Sequence, residues 1–519
     1  MSSGLLIRGG RVHVGDGTSA EALLARDGRV AAVGAIADLA RDAPRADVLD
    51  VAGGLVVPGW FDSHVHFMWW AIQMEQVDLR GVDSIDAALD AVARRANELG
   101  PKAWVLGGRF DKNRWGRWPT ASELDRATAG RPAALRSRDG HSRWLNTEAL
   151  RRAGITSETP EPGGGAIERD GTGAPTGILK ENANRLADAV IPPPTEDECM
   201  AALRRGQAEA WRRGIVGIED LEQSDAFGAF QRLRAAGELG LRVVMGVPHA
   251  RLDQAIALGV RSGLGDEWLQ VGHCKMFADG ALGSQTAALE EPYEGTGDRG
   301  IMTCEPEVLA RDAASAARAG ISVAIHAIGD RAVHAALDAI DPAASIDRAL
   351  RHRLEHIQLV RTDDLGRFGA LGVVASMQPI HATSDRDLVD RYWGHERAKR
   401  AYPWRAITER GGVLAFGSDA PVEAIDPLVG IHAAVARRRP GDTTPWHPEQ
   451  ALSLDEALAG YSSGAAYATG REGEWGTLRP GMRCDATVID RDLAALPTEE
   501  WLDARIAATI VDGVVRHAG

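Results

Sequence analysis

Two histidines one residue apart close an apolar run, Gly54-Leu55-Val56-Val57-Pro58-Gly59-Trp60-Phe61-Asp62-Ser63-His64-Val65-His66. Side chains alternate faces in a strand, so His64 and His66 point the same way and form half of a metal site. A His-x-His pair alone also fits ordinary polar strand residues, and the downstream segments decide between the two. Lys275 stands in His273-Cys274-Lys275-Met276-Phe277-Ala278-Asp279-Gly280, and His326 in Val323-Ala324-Ile325-His326-Ala327-Ile328-Gly329-Asp330. His356 closes Arg353-Leu354-Glu355-His356, and Asp419 follows Leu414-Ala415-Phe416-Gly417-Ser418. Each lies in or at the end of a short apolar run. Four imidazoles, an amine and a carboxylate meeting at strand ends could hold divalent cations and activate water for hydrolysis.

Each assignment has a competitor. His352 precedes the same strand as His356, and His334 falls on the helix after His326. Asp419 could instead cap a helix starting at Ala420-Pro421. Weaker candidates surround the six. His141, in Arg138-Asp139-Gly140-His141-Ser142, could polarise a substrate carbonyl or simply serve a turn. Asp279, Gln285 and Gln378 could touch substrate or support ligands. Glu219 and Asp220 could do no more than pair with nearby arginines. Six of the 14 tryptophans are Trp69, Trp70, Trp104, Trp115, Trp118 and Trp144. They either fill a core or, as Trp69 and Trp115 could, line an apolar substrate pocket.

The elements that must position these groups alternate. Strand-like runs at 56–66, 215–220, 241–247, 270–277, 322–326, 353–357, 373–378 and 413–419 are separated by helical stretches such as 306–319 and 332–340. Eight such units predict a closed α/β barrel of the (β/α)8 TIM type, whose chemistry sits at the strand C-termini. The ends of the chain read differently, as short strands broken by Gly-Gly and Asp-Gly turns. The reading is therefore a small discontinuous β-sandwich domain built from 1–55 and 471–519, with the barrel over 56–470 between its halves. Residues 67–195 are too long for one connection and read as a subdomain inserted after strand one, over the barrel mouth.

Composition narrows the partners. The 519 residues carry a formal net charge of −14, which argues against nucleic acid and anionic membrane. Four cysteines, Cys199, Cys274, Cys304 and Cys484, lie far apart, so a disulfide framework or a cysteine zinc knot is not expected. No secretory signal or membrane-length apolar run is visible, and a reduced cytoplasmic setting is the simplest expectation. Self-association as a homo-oligomer is left open.

The motifs as a set resemble the amidohydrolase superfamily of metal-dependent hydrolases, specifically its amidohydrolase-3 (YtcJ-like) branch, over nearly the whole chain. The resemblance implies two divalent metals, with zinc suited to imidazole-rich ligation. One would sit on His64, His66 and Asp419, the other on His326 and His356, with Lys275 carboxylated by CO2 across both. A bare ammonium beside two cations is electrostatically unfavourable, and a carbamate reverses its sign. One metal beside an unmodified Lys275 is the alternative. The implied nucleophile is a hydroxide held by the metals, with Asp419 as proton shuttle. The implied activity is hydrolysis of a carbon–nitrogen bond other than a peptide bond. The substrate would be a small N-acyl or N-substituted amide with an apolar or aromatic group, as for an N-substituted formamide deformylase. Ester or lactone hydrolysis, ring deamination, and a non-catalytic binding role on the same scaffold are the rival readings.

Overall fold

Gly59 divides the apolar run that leads to the histidine pair. Its N–H donates to Asp485 O at 2.8 Å, and a Cβ there would come within 2.5 Å of Val216. The computed structural model, which describes residues 4–138, 140, 142–162, 165–222 and 226–519, with side chains at all of these but 113 and 181, therefore shows two strands here. Leu55–Pro58 joins a terminal sheet and Trp60–Val65 joins the barrel, so the single strand expected over 56–66 is corrected.

The barrel strands are β1 (Trp60–Val65), β2 (Ile215–Asp220), β3 (Arg242–Pro248), β4 (Leu269–Phe277), β5 (Val323–Ala327), β6 (Arg353–His356), β7 (Val374–Met377) and β8 (Val413–Phe416). They pair in chain order, and every pairing is parallel. Covered on both faces, they are nearly all buried, as parallel strands must be. The helix Pro306–Arg318 illustrates the crossovers: proline opens it, and Leu309, Ala313, Ala316 and Ala317 form its buried stripe. The ring is closed just beyond β8. Asp419 N–H donates to His64 O at 2.7 Å, and His66 N–H donates to Ala420 O at 2.8 Å. The buried Asp62 carboxylate reinforces this seam, accepting from Ser418 N–H at 2.9 Å and His64 N–H at 3.2 Å.

Strands from both ends of the chain form one branched eight-stranded sheet, in which Ala486–Ile489 pairs antiparallel with Leu55–Pro58. They share a core that includes Ile7, Leu23, Val56, Val488 and Ile510. Within the same compact unit, Arg242 of β3 forms a buried bidentate pair with Asp485.

Trp69–Ala202 is a second compact unit with its own six-stranded sheet. Trp144 is fully buried there beside Phe110. Trp115 stacks on Phe110 at 5.3 Å, and its indole N–H donates to Val82 O at 2.9 Å. Among the described residues no helix is long and apolar enough to cross a membrane.

Candidate metal centre

Alternation along β1 sends Asp62, His64 and His66 to one face. On β6 it sends Arg353 and Glu355 inward, and His356 would then point outward. Instead His356 takes a left-handed backbone, φ 72°, followed by Ile357 at 50°. The strand ends there and the imidazole turns in, its ring centroid 4.7 Å from that of His64 and 4.6 Å from that of His326. Asp419 is also left-handed, at φ 57°. Such conformations are unfavourable for residues with a Cβ and persist where the surroundings enforce them.

Ligand atoms of His64, His356 and Asp419 all lie within 4.8 Å of one another. Asp419 Oδ1 is 3.5 Å from His64 Nε2 and 3.3 Å from His66 Nε2. The imidazole tautomers follow from their partners. His64 Nδ1–H donates to Glu355 at 2.5 Å, His356 Nδ1–H to Gln378 Oε1 at 2.7 Å, and His326 Nε2–H to Gly280 O at 2.9 Å. Each ring thus keeps one bare nitrogen for a cation. Burial, then Lys275, lowers His64 to about 4 and His326 to about 3, so both are neutral at pH 7. Burial opposes ionisation of Asp419, but His64 and its neighbours hold it well below the usual carboxylate range.

Lys275, 1% exposed, has no hydrogen-bond partner for Nζ among the described residues, and Nζ lies 5.1 Å from the Phe277 ring. Burial pulls it down to about 8. This orphaned amine and the neutral imidazoles beside Asp419 fit a divalent ion.

Below the ligands runs a buried chain of charges. Arg353 binds both Glu355 and Glu219, the backbone O of Ser63 and Ser376 Oγ, while Glu219 accepts from His273 Nδ1–H at 2.5 Å. Glu219, His273 and Arg353 come from alternate strands, the layering expected inside such a barrel. Glu219 therefore does pair with an arginine. Asp220 pairs with none among the described residues; it accepts from Glu222 N–H at 3.1 Å, and burial, then Glu222, raises it well above the usual range.

The competitors separate. His352 Nδ1 accepts from Val323 N–H at 3.2 Å, at the start of β5 and away from the ligands. His334 pairs with Asp364 at 3.1 Å. No helix starts at Ala420; the next begins at Pro427 and is capped by Asp426. Asp279 spends its carboxylate on the N–H groups of Ala288, Ile328 and Gly329, at 2.8–3.0 Å, and burial raises it to about 7. It holds the loop after β4 and lies 3.5 Å from His326 Nε2. Gln378 orients His356. Gln285 sits left-handed (φ 57°) in the turn after β4, with no bond to the candidate ligands among the described residues. Trp69 and Trp115 belong to the second unit, where Trp115, partly buried, packs against the core. His141 lies outside the described residues.

Three residues at the centre escaped the sequence reading. The i, i+2 spacing of Arg353 and Glu355 on a strand that ends in a ligand could have revealed them as a supporting pair. His381 follows β7 by four positions on the short helix Pro379–Ser384. Its ring stacks on His356 at 6.2 Å and 12°, and its Nε2 faces Asp419 Oδ2 at 3.8 Å. Extending the search for histidines a turn past each strand end would have found it.

A parallel barrel with an imidazole-rich, carboxylate-bearing mouth defines a metal-dependent hydrolase. The model of the "Amidohydrolase family" matches residues 47–517, and the chain belongs to that family. It is 33% identical to Protein LONG AFTER FAR-RED 3 of Arabidopsis thaliana, with 98% of this chain and 91% of that protein covered. It is 31% identical to the putative amidohydrolase YtcJ of Bacillus subtilis (strain 168), covering 96% of each. To the N-substituted formamide deformylase of Arthrobacter pascens it is also 31% identical, with 96% of this chain and 95% of that protein covered. The crystal structure of an uncharacterized metal-dependent hydrolase from Pyrococcus horikoshii OT3 superposes with a TM-score of 0.81 at 28% identity, covering 96% of this chain and 99% of that one. The protein is a metal-dependent hydrolytic enzyme acting on carbon–nitrogen bonds.

Proposed function

We propose that the chain hydrolyses a small N-acyl or N-substituted amide carrying an apolar or aromatic group, in the manner of an N-substituted formamide deformylase. The observation that carries the metal half of this reading is the convergence of His64, His356 and Asp419 with the partnerless amine of Lys275. The apolar half is supported by Phe277, 38% exposed, whose ring lies 5.3 Å from that of His326. The choice of substrate class is supported by the likeness to a relative bearing the deformylase name.

His64, His66, His326, His356 and Asp419 would hold two divalent ions, zinc being suited to these donors. Lys275 would join them as a carbamate: with its pKa near 8 the neutral amine can add to CO2 and release a proton to solvent, becoming an anion with two donor oxygens. When bound, the metals supply Lewis acidity toward the substrate carbonyl and the attacking water. The chain does the rest. Asp419 accepts the proton released by the attacking water and returns it to the leaving nitrogen. Glu355 and Gln378 keep the proton of their imidazole partners on the far nitrogen. Phe277 excludes water from one wall. The net charge of −14 supports a small-molecule partner over nucleic acid or anionic membrane, and the dispersed cysteines support a cytoplasmic setting.

A panel of N-benzyl and N-alkyl formamides, N-acyl amines, lactones and amino-heterocycles, assayed with zinc and with chelator, tests the reading. Chelator-sensitive turnover of amides is expected. Turnover confined to lactones or heterocycles would replace the substrate class, and inactivity throughout at full metal loading would leave a binding protein. Lys275→Ala should halve the metal bound, from two ions to one, by elemental analysis; two ions retained would exclude the bridging lysine.

A further inference from the structure

The fifth imidazole of the site, His381, is wired in the opposite sense to the ligand histidines. His64, His326 and His356 give their proton to a partner behind them and turn a bare nitrogen inward. His381 Nδ1 lies 3.4 Å from the Gln358 side-chain amide; with that amide donating, the imidazole proton is carried on Nε2. That N–H faces the site. It is 3.8 Å from Asp419 Oδ2, beyond hydrogen-bond reach, and Nε2 has no hydrogen-bond partner among the described residues although the residue is only 6% exposed. A protonated nitrogen cannot ligate a metal, but it can donate to a substrate oxygen that comes within reach. The stack on His356 and the helix start at Pro379 fix the ring's direction. A buried N–H without an acceptor is rare and calls for one.

We propose that His381 is a catalytic residue that donates Nε2–H to the carbonyl oxygen of the substrate. This rests on the amide-hydrolase reading above. As the water oxygen bonds to the carbonyl carbon, the π pair of C=O moves onto oxygen, and His381 stabilises the charge that appears there. When the pair returns, the C–N bond breaks, and the nitrogen leaves with the proton carried by Asp419. Amide and water are thereby converted to carboxylic acid and amine, and His381 donates throughout without losing its proton. The role assigned from sequence to His141, polarising the carbonyl, thus has a candidate within the barrel itself.

Two variants separate this from a metal-binding or packing role. His381→Leu keeps volume and removes the donor; His381→Asn keeps a donor. On the best amide from the panel, H381L is expected to lose about 10²–10³ in kcat, the loss typical of one oxyanion donor. H381N should stay within about tenfold of wild type. KM and metal content should change little in either. H381L within about threefold of wild type, H381N as impaired as H381L, or metal loss in both variants would each overturn the proposal. A wild-type enzyme that hydrolyses no amide fails the earlier reading instead, before any variant is compared.

Discussion

His64 shows how much of a ligand lies behind it. Its ring would be free to rotate on an exposed strand; Glu355 pins Nδ1, and Arg353, 0% exposed, pins Glu355. Removing the carboxylate's charge with Glu355→Gln should weaken metal binding by about 10–100-fold, the usual effect of losing such support, as read by competition with a chromogenic chelator. Unchanged affinity would mean that His64 is held by packing alone. Arg353→Met leaves Glu219 and Glu355 buried without their cation, a loss of about 3–5 kcal/mol, and should lower the melting temperature well before any assay is run. The six residues singled out from sequence stood out because each lies in or at the end of a short apolar run. Glu355, Arg353 and His381 were not, because their importance lies in pairing with residues on other strands and loops, which local patterning does not encode. The loop-holding bonds of Asp279 were hidden for the same reason: they depend on the N–H groups of Ala288, Ile328 and Gly329.

At the level of elements, the strand and helix order was readable because parallel strands are apolar throughout and helices show a 3.6-residue stripe. The break at Gly59 was not, since the residues flanking it, Val57-Pro58 and Trp60-Phe61, are all apolar; what divides them is the approach of Val216 and the bond to Asp485. Capping boxes are local and visible. Ser453 and Glu456 close one at the start of Leu454–Gly460, and Arg405 binds the same carboxylate. That pair, and then Ser453, lower Glu456 to about 2 despite partial burial. With the unfolded value near about 4.3, the stabilisation is complete above that pH and is lost as pH falls toward about 2. The difference in melting temperature between wild type and Glu456→Gln should therefore be greatest near pH 6 and shrink steadily toward pH 3, by differential scanning fluorimetry. A gap that stays constant with pH would assign the effect to packing.

The whole molecule depends on pairing between its two ends. Ala486–Ile489 lies between Leu55–Pro58 and Ile506–Val511, and Val511, Ile510 and Ala508 are almost wholly buried. Deleting residues 506–519 would uncover several such side chains at about 1.5–3 kcal/mol for each large one, a sum comparable to the stability of a typical domain. The truncated chain should be largely insoluble or melt many degrees lower by calorimetry. A melting temperature equal to wild type would show the barrel to be indifferent to that strand.

A ring has to be joined somewhere, and here the join is made by the ligand-bearing backbone itself: the Asp62 side chain reaches Ser418, 356 positions away, and His64 and His66 bond to Asp419 and Ala420. A growing polypeptide therefore carries the histidine pair for most of its synthesis without its carboxylate. No nascent fragment ending before Asp419 can assemble the reaction centre, so turnover reports that the chain has been made past the eighth strand and the ring closed.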